Sequence, residues 1–146
     1  MINMKKYKVG YTDGTYDMFH VGHLNMIEGA KQYCEYLIVA VHGDEVVKEY
    51  KPAPVIGEED RRRIVAAVKG VDEAVITRFR DKLKLWELYH FDVIFIGDDY
   101  KGTERWNQFE KKLKKVGVDV IYLPYTKSIS TTEIRRRISE EKSQIR

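Results

Sequence analysis

The sequence has almost no cysteine and no long apolar run. Cys34 is the single cysteine among 146 residues, so the chain cannot form an internal disulfide. The longest apolar stretches, such as residues 36–41, are far too short to span a bilayer, and no charged and then apolar segment of the secretory kind opens the sequence. These absences predict a cytoplasmic protein without a membrane partner.

The sequence also lacks a strong excess of either charge. Its 26 lysines and arginines against 23 aspartates and glutamates leave a formal net charge of +3, and the basic residues are interspersed with acidic ones. Proteins that bind nucleic acid usually concentrate Lys and Arg on one face, and no recognised RNA-binding motif is present. We therefore predict no nucleic-acid partner, whereas a small anionic ligand fits this balance.

What the sequence does contain is an alternation of short β-rich runs with longer stretches of helical period, which is typical of βαβ units. With 146 residues and 43% hydrophobic composition, we expect one domain over residues 1–146. The predicted fold class is α/β: a single Rossmann-like domain with a five-stranded parallel sheet and helices on both faces. Strands are predicted at residues 8–12, 36–41, 73–77, 93–97 and 118–123, and helices at 23–32, 58–68, 81–89, 103–115 and 130–140.

Two segments are predicted to be irregular. Residues 48–57 hold two of the three prolines and are predicted to form a loop before a helix with an acidic first turn. Residues 140–146 are predicted to be a frayed tail. Ligands of open α/β sheets bind beyond the carboxyl ends of the strands. This rule predicts one cleft between the segments that begin at Asp13, Gly43, Gly97 and Pro124.

The segment YTDGTYDMFHVGH, residues 11–23, is the first candidate for chemistry. Gly14 and Gly22 permit close approach of the backbone, and a helix beginning near residue 22 offers free N–H groups to an anion. His20 and His23, three residues apart, would share one face and could both donate hydrogen bonds to one phosphate. Either histidine alone is more often a cap or a packed side chain, and a zinc site lacks a third nearby ligand.

The segment SISTTEIRRR, residues 128–137, is the second candidate. Ser130 followed by Glu133 is a capping box that opens a helix. The hydroxyls of Ser130, Thr131 and Thr132, together with the free N–H groups of that turn, could also hold polyphosphate oxygens, with Arg135 adding positive charge. The two interpretations are compatible.

The segment GDDYKG, residues 97–102, ends the strand that is predicted to be most buried. Its two aspartates are either a turn or cap, or a contact for ligand or metal. Lys51, Arg61 and Lys69 could bring cations from another side, although each alone is more often a solvated surface charge.

Three stretches of the chain resemble a known family. GTYDMFHVGH is similar to the G-T-F-D-x-x-H-x-G-H signature of the cytidylyltransferases, within the wider H-x-G-H nucleotidyltransferase superfamily, and SISTTEIR is similar to the second signature, I-S-[ST]-T-x-[IL]-[RK]. VDEAVI and GDDYKGT follow the order found in glycerol-3-phosphate cytidylyltransferases. The resemblance covers residues 7–138.

The resemblance implies that the phosphate of an alcohol phosphate attacks the α-phosphate of CTP, which releases pyrophosphate and forms a CDP-alcohol. His20 and His23 would stabilise the pentacoordinate α-phosphate. Thr15 would contact the phosphates from the preceding turn, and Lys51 would supply a catalytic cation. No general base is needed, since the nucleophile is already an anion. The family also implies a homodimer.

The resemblance further implies a set of residues for nucleotide and phosphate binding. Ser130, Thr131 and Thr132 would hold the β- and γ-phosphates, and Asp17 would orient the site or assist the metal. Mg²⁺ would be the cofactor, bound through the triphosphate rather than by a set of protein ligands. The remaining predicted members of this set are Gly14, Gly22, Arg61, Asp99, Lys127 and Arg135.

Three departures from the family concern the substrates. Tyr125 replaces an arginine expected near the nucleotide, and Lys127 is a candidate to restore that charge. Lys69 replaces an arginine before the sequence VDE, and Tyr100 replaces a tryptophan. Lys69, Asp72 and Tyr100 are the predicted substrate-binding residues.

Alternative functions stay open from the sequence. Choline phosphate, ethanolamine phosphate or another phosphate acceptor could replace glycerol 3-phosphate. An adenylyltransferase that uses ATP, such as one that makes FAD, would need the same histidines and hydroxyls. A nucleotide-binding module without turnover is the alternative of another class.

Overall fold

A computed structural model describes residues 6–144, and its centre is one parallel sheet of five strands. The strands are β1 (Tyr7–Gly14), β2 (Cys34–His42), β3 (Glu73–Thr77), β4 (Val93–Gly97) and β5 (Asp119–Leu123). Their order in the sheet is β3-β2-β1-β4-β5, and all four pairings are parallel. The order reverses between β1 and β4, which is where open α/β sheets bind ligands.

Six helices connect or follow the strands, and they confirm the α/β prediction with helices on both faces. They are α1 (Val21–Lys31), α2 (Asp44–Lys48), α3 (Glu58–Ala66), α4 (Lys82–Tyr89), α5 (Glu104–Lys114) and α6 (Thr131–Gln144). On one face, Ile27 of α1 and Val65 of α3 pack in the same buried cluster as Val39. On the other face, Leu85 of α4 and Leu113 of α5 pack with Ile94.

The predicted bounds differ from the structure mainly where tertiary contacts extend an element. β3 and β4 have the predicted bounds, whereas β1 and β2 are longer because β1 pairs with β2 from Tyr7 to Gly14. Helix α2 was not predicted: it has only five residues, and burial of Val46 and Val47 fixes it.

Helix α6 extends beyond its predicted end at residue 140. Residues 140–144 continue α6, while residues 145–146 lie outside the described part of the chain. Arg136 forms ion pairs with Glu133 and Glu140 along this helix, which favours its continuation. No helix within residues 6–144 has the length and apolar character needed to cross a membrane.

Candidate active site

A cleft of about 430 Å³ opens at the carboxyl edge of the sheet, beside the point where the strand order reverses. Its walls come from the loops after β1, β2, β4 and β5 and from the first turns of α1 and α6. Many of the predicted site residues line it: Gly14, Thr15, His20, Gly22, His23, Lys51, Asp99, Tyr100, Ser130, Thr131 and Thr132. Six predicted residues are absent from its lining: Asp17, Arg61, Lys69, Asp72, Lys127 and Arg135.

The two histidines form a stacked pair at the beginning of α1. Their ring centroids are 3.8 Å apart and their planes differ by 22°. The Nδ1 atom of His20 accepts a hydrogen bond from the backbone N–H of Gly22 at 3.0 Å, and the Nδ1 atom of His23 accepts one from the backbone N–H of His20 at 3.2 Å. The pair is therefore a capping box built from imidazoles, and both rings are fixed by the backbone.

These hydrogen bonds also decide which ring nitrogen carries the proton. A neutral imidazole has one donor and one acceptor, so an Nδ1 atom that accepts leaves the proton on Nε2. Burial lowers the pKa of His20, and burial together with the charges of His20 and Lys51 lowers the pKa of His23 to about 3. Both rings are thus neutral near pH 7, with an Nε2–H donor that the backbone does not use.

Gly22 is required by the position of the His20 ring. A Cβ atom at residue 22 would lie 2.8 Å from Cε1 and 3.0 Å from Nδ1 of His20, which is closer than a side-chain carbon can pack. Any larger residue would push the ring away from its cap. The glycine between the histidines therefore fixes the geometry of the pair.

The loop between β1 and α1 holds two strained residues. Tyr16 has φ 56° and Met18 has φ 49°, in the left-handed region that side chains rarely occupy. The Tyr16 ring is buried and sits against Gly14, where a Cβ atom would be 3.2 Å from the ring. Packing thus maintains a backbone path that brings His20 and His23 to the cleft.

Asp17 is absent from the cleft lining, and its predicted roles of orienting the site or assisting the metal stay predictions. Its carboxylate accepts hydrogen bonds from the backbone N–H groups of Val55 and Ile56, at 2.7 and 2.9 Å, and pairs with Arg135 at 3.0 Å. Burial opposes ionisation, but these bonds hold the pKa of Asp17 below its usual range. Asp17 and Arg135 anchor the proline-containing loop behind the site, because Nη2 of Arg135 donates to Asp17 and to the carbonyl of Ala53. The buried Nε of Arg135 has no hydrogen-bond partner among the described residues.

Arg61 is likewise a buried scaffold residue rather than a cleft residue. It is 1% exposed, and its guanidinium donates to the carbonyls of Thr15 and Ile56 and to the carboxylate of Asp44. The bond to the Thr15 carbonyl, at 2.6 Å, connects α3 to the loop that leads to the histidines. Arg61 supports the site from behind, since all three of its guanidinium nitrogens donate to groups of the protein.

The first turn of α6 also lines the cleft, and it lies beside the loop that precedes α1. Ser130 Oγ accepts from the N–H of Glu133 at 3.1 Å, as its predicted role as a cap requires, and Thr131 Oγ1 donates to the carbonyl of Asp17 at 2.7 Å. The hydroxyl of Ser130 keeps its proton for a ligand, and Thr132 lines the cleft as well. The first N–H groups of α6 add donors for an anion.

Lys51 brings a positive charge beside the histidines. Its Nζ lies 5.5 Å from the centre of the Tyr50 ring. Burial, and then the neighbouring charge of Arg135, lower the pKa of Lys51, and Asp17 opposes that effect. An anionic ligand in the cleft would relieve this repulsion.

A buried polar chain that was not predicted from the sequence crosses the floor of the cleft. Thr15 Oγ1 lies 2.8 Å from the hydroxyl of Tyr50, which lies 2.5 Å from Nδ1 of His42. The other nitrogen of His42 is 3.4 Å from Asp13, whose carboxylate pairs with Lys82 at 2.7 Å. Burial would raise the pKa of Asp13, but Lys82 and His42 lower it below its usual range.

Three predicted binding residues lie elsewhere. Asp72 precedes β3, at the amino end of the strand, where it pairs with Lys31 at 2.6 Å, and Lys69 lies in the same connection. Lys127 is exposed and outside the cleft lining, and its restoring the charge of the arginine that Tyr125 replaces stays a prediction. Lys69 and Asp72 are therefore not brought to this cleft.

The residues of the cleft offer no complete metal site. Within residues 6–144 no group of three or more His, Cys, Asp or Glu side chains is arranged to hold a metal ion. Asp99 is an exposed carboxylate in the cleft lining, whereas Asp13 is already engaged by Lys82 and by the hydroxyl of Tyr11. A magnesium ion that arrives with a nucleotide needs only one or two protein carboxylates, and Asp99 fits that role.

Comparison with known proteins agrees with this geometry. The family model described as "Cytidylyltransferase-like" matches residues 11–137. The chain is 34% identical over 129 residues to a glycerol-3-phosphate cytidylyltransferase of Bacillus subtilis, which covers 88% of this chain and 95% of that protein. It is 39% identical over 108 residues to an FAD synthase of Ferroglobus placidus, which covers 74% of this chain and 70% of that protein.

A solved structure supports the fold. The lipopolysaccharide core biosynthesis protein of Thermoplasma volcanium superposes with a TM-score of 0.71 at 24% identity, covering 84% of this chain and 99% of the other. The resemblance inferred from the two signatures is thereby confirmed. The chain belongs to the cytidylyltransferase-like family of nucleotidyltransferases.

Proposed function

We propose that this protein transfers CMP from CTP to a small alcohol phosphate, with glycerol 3-phosphate as the first acceptor to test. The observation that carries the proposal is the stacked pair of His20 and His23, whose two neutral Nε2–H donors face the same cleft as the first turn of α6. Two such donors suit a phosphate that gains negative charge during transfer.

In this mechanism an oxygen of the acceptor phosphate attacks the α-phosphorus of CTP, and the bond to the β-phosphate oxygen breaks to release pyrophosphate. His20 and His23 donate to the oxygens of the α-phosphate as it becomes pentacoordinate. The N–H groups at residues 130–132 and the hydroxyls of Ser130 and Thr132 hold the β- and γ-phosphates, and Lys51 attracts the anionic acceptor. The acceptor is already ionised, so no side chain has to remove a proton.

Mg²⁺ would be held by the phosphates of CTP, with Asp99 as the carboxylate placed to assist. When bound, the ion would neutralise charge on the triphosphate and on the leaving pyrophosphate. A homodimer stays a prediction, to be measured by light scattering.

The charges of the cleft favour an acceptor without a cationic headgroup. The charged residues in its lining are Lys51, Arg80, Lys82, Arg105, Asp13 and Asp99. Because cations outnumber carboxylates and Asp13 is paired with Lys82, a quaternary ammonium group would meet net positive charge. Glycerol 3-phosphate, with its uncharged headgroup, avoids this repulsion, whereas choline phosphate and ethanolamine phosphate do not.

Adenylyl transfer from ATP is the second candidate, and the 39% identity to an FAD synthase favours it. The histidines and the first turn of α6 contact phosphates, which CTP and ATP share. The base must therefore be distinguished by measurement.

The test measures pyrophosphate release with Mg²⁺ and each of CTP, ATP, GTP and UTP, crossed with glycerol 3-phosphate, choline phosphate, ethanolamine phosphate and FMN. The expected result is turnover with CTP and glycerol 3-phosphate that His20→Asn abolishes. Turnover with ATP and FMN would replace the proposal by the second candidate. Nucleotide binding by calorimetry without release from any pair would instead support a module without turnover.

A further inference from the structure

Two arginines line the cleft without a carboxylate partner of their own. Among the first three basic residues after β3, Arg78 pairs with Glu58 at 2.6 Å and Lys82 pairs with Asp13 at 2.7 Å. Arg80, which lies between them, forms no ion pair or hydrogen bond within residues 6–144. Its guanidinium lies 4.2 Å from the centre of the Tyr50 ring, which holds it at the wall of the cleft.

Arg105 reaches the same end of the cleft from the first turn of α5. Its guanidinium lies 5.5 Å from the centre of the Phe109 ring, and it too has no ion pair in the described part of the chain. Burial and then the positive charge of Arg80 lower the pKa of Arg105, so the two guanidinium groups are close enough to repel each other. Asp13 opposes that shift, but Asp13 itself is paired with Lys82. Two neighbouring cations without an ion-pair partner of their own favour the binding of an anion.

The acidic residues nearby do not balance these charges. Both oxygens of Asp13 are engaged, by Lys82 at 2.9 and 2.7 Å and by the hydroxyl of Tyr11 at 2.9 Å. Asp99 lines the cleft as well, and its charge acts on Tyr100, whose pKa burial and Asp99 raise. Lys51 adds a further cation beside the histidines, so the two arginines keep a surplus of positive charge.

The reacting phosphates have other partners. The α-phosphate and the attacking phosphate must meet at His20 and His23, where Lys51 is the cation whose charge acts on His23. The remaining phosphates of the nucleotide have the first turn of α6. Arg80 instead precedes α4 and contacts the Tyr50 ring, and Arg105 lies in α5 and interacts electrostatically with Tyr50 and Tyr100. This end is available for the part of the acceptor beyond its reacting phosphate.

We propose that the acceptor carries a second anionic group, a carboxylate or a second phosphate, and that Arg80 and Arg105 bind it. The proposal rests on the proposed function, because it assigns this end of the cleft to the acceptor. A planar guanidinium donates two parallel hydrogen bonds to either group. Arg80 and Arg105 are specificity-determining residues, and the transfer step itself is unchanged.

The experiment compares acceptors that differ only at the far end. Glycerol 3-phosphate, 3-phosphoglycerate and glycerol 1,3-bisphosphate are supplied with CTP and Mg²⁺, and kcat/KM is measured from pyrophosphate release. We expect at least a tenfold preference for an acceptor with the second anion, and the last two compounds distinguish a carboxylate from a phosphate. Arg80→Gln and Arg105→Gln should each reduce that preference about tenfold and change the value for glycerol 3-phosphate about twofold at most.

Two control variants accompany these measurements. Arg78→Gln removes a neighbouring arginine that pairs with Glu58 outside the cleft lining, and it should leave the preference unchanged. Arg80→Lys keeps the charge and should retain part of the preference. A wild-type preference for glycerol 3-phosphate would overturn the proposal. Equal losses with all three acceptors in Arg80→Gln and Arg105→Gln would also overturn it, because the arginines would then hold the reacting phosphate.

A separate readout distinguishes failure of this inference from failure of the proposed function. Binding of 3-phosphoglycerate and glycerol 3-phosphate is measured by calorimetry without nucleotide. Tighter binding of 3-phosphoglycerate that Arg80→Gln and Arg105→Gln abolish would support the anion site even if no pyrophosphate were released from CTP. Equal binding of the two compounds by wild type and variants would contradict it.

Discussion

His20 and Asp17 lie three residues apart in the same signature, yet they belong to two different regions of the molecule. His20 lines the cleft with His23, and each ring keeps one donor that the protein does not use. Asp17 lies behind the cleft with Arg61 and Arg135, and its two oxygens are taken by two backbone N–H groups and a guanidinium. We call the first region the histidine pair and the second the rear scaffold, made of Asp17, Arg61 and Arg135.

The comparison shows that polar residues of one signature can have different roles, in chemistry or in stability. A buried polar group whose hydrogen bonds are all made within the protein stabilises the fold, and a ligand could reach it only if those bonds broke. A group that retains a free donor toward a cleft is available for chemistry. The histidine pair should therefore control turnover, and the rear scaffold should control stability.

The largest expected effect is on turnover, from His20→Asn. Asparagine is an excellent N-cap, so its side-chain oxygen can accept from the N–H of Gly22 as Nδ1 of His20 does, but it has no donor in the position of Nε2. We expect kcat to fall by about 10²–10³-fold with an unchanged unfolding transition. Steady-state kinetics and chemical denaturation check the two halves of this result. Full activity would show that a cap is all that His20 provides.

The next effect is on stability, from Arg61→Met. Methionine fills a similar volume but leaves the carbonyls of Thr15 and Ile56 and the carboxylate of Asp44 without their donor. We expect the free energy of unfolding to fall by about 3 kcal/mol. Denaturant unfolding followed by tryptophan fluorescence measures it.

Arg62→Met is the matched control for Arg61→Met. Arg62 is the next residue on α3, and it pairs with Glu59 on the surface of the helix. Its replacement should leave stability nearly unchanged. If Arg61→Met were as stable as this control but inactive, Arg61 would belong with the histidine pair and the division into two regions would fail.

The smallest of the three effects is on kcat/KM, from Gly22→Ala, and it tests the separate roles of the histidine pair and the rear scaffold. Gly22→Ala places a Cβ atom 2.8 Å from Cε1 of His20, so the ring must move, although alanine is the better helix former by about 1 kcal/mol. We expect kcat/KM to fall about tenfold while stability is kept or rises slightly. The control is Gly57→Ala, because a Cβ atom there would contact nothing within 4 Å. Equal activities of the two variants would contradict the role assigned to Gly22.

Much of the fold could be predicted from the sequence because local patterns determine it. The residues of β4, VIFIG, are apolar on both faces, and the strand has its predicted bounds. Helix α2 escaped prediction because five residues carry too little periodicity, and only burial of Val46 and Val47 in the core makes the helix stable.

The site was predictable in part for the same reason. The histidine pair and the first turn of α6 are local features, each within a few residues of sequence. The burial of Arg61 depends on a carbonyl 46 residues away, and the ion pair of Asp17 depends on a residue 118 positions away. The ion pair between Asp13 and Lys82 was not predicted, because the two residues are 69 positions apart and neither local segment contains a signal for the contact.

The measurement that tests the central claim most directly is a ¹⁵N NMR titration of the histidine side chains in the free protein. Burial lowers the pKa of His20. Burial, together with the charges of His20 and Lys51, lowers the pKa of His23 to about 3. Both rings are therefore neutral at pH 7. The account predicts neutral His20 and His23 at pH 7, each with its proton on Nε2, and no titration of His23 between pH 8 and pH 5. A proton on Nδ1 of either ring, or an imidazolium at pH 7, would contradict it.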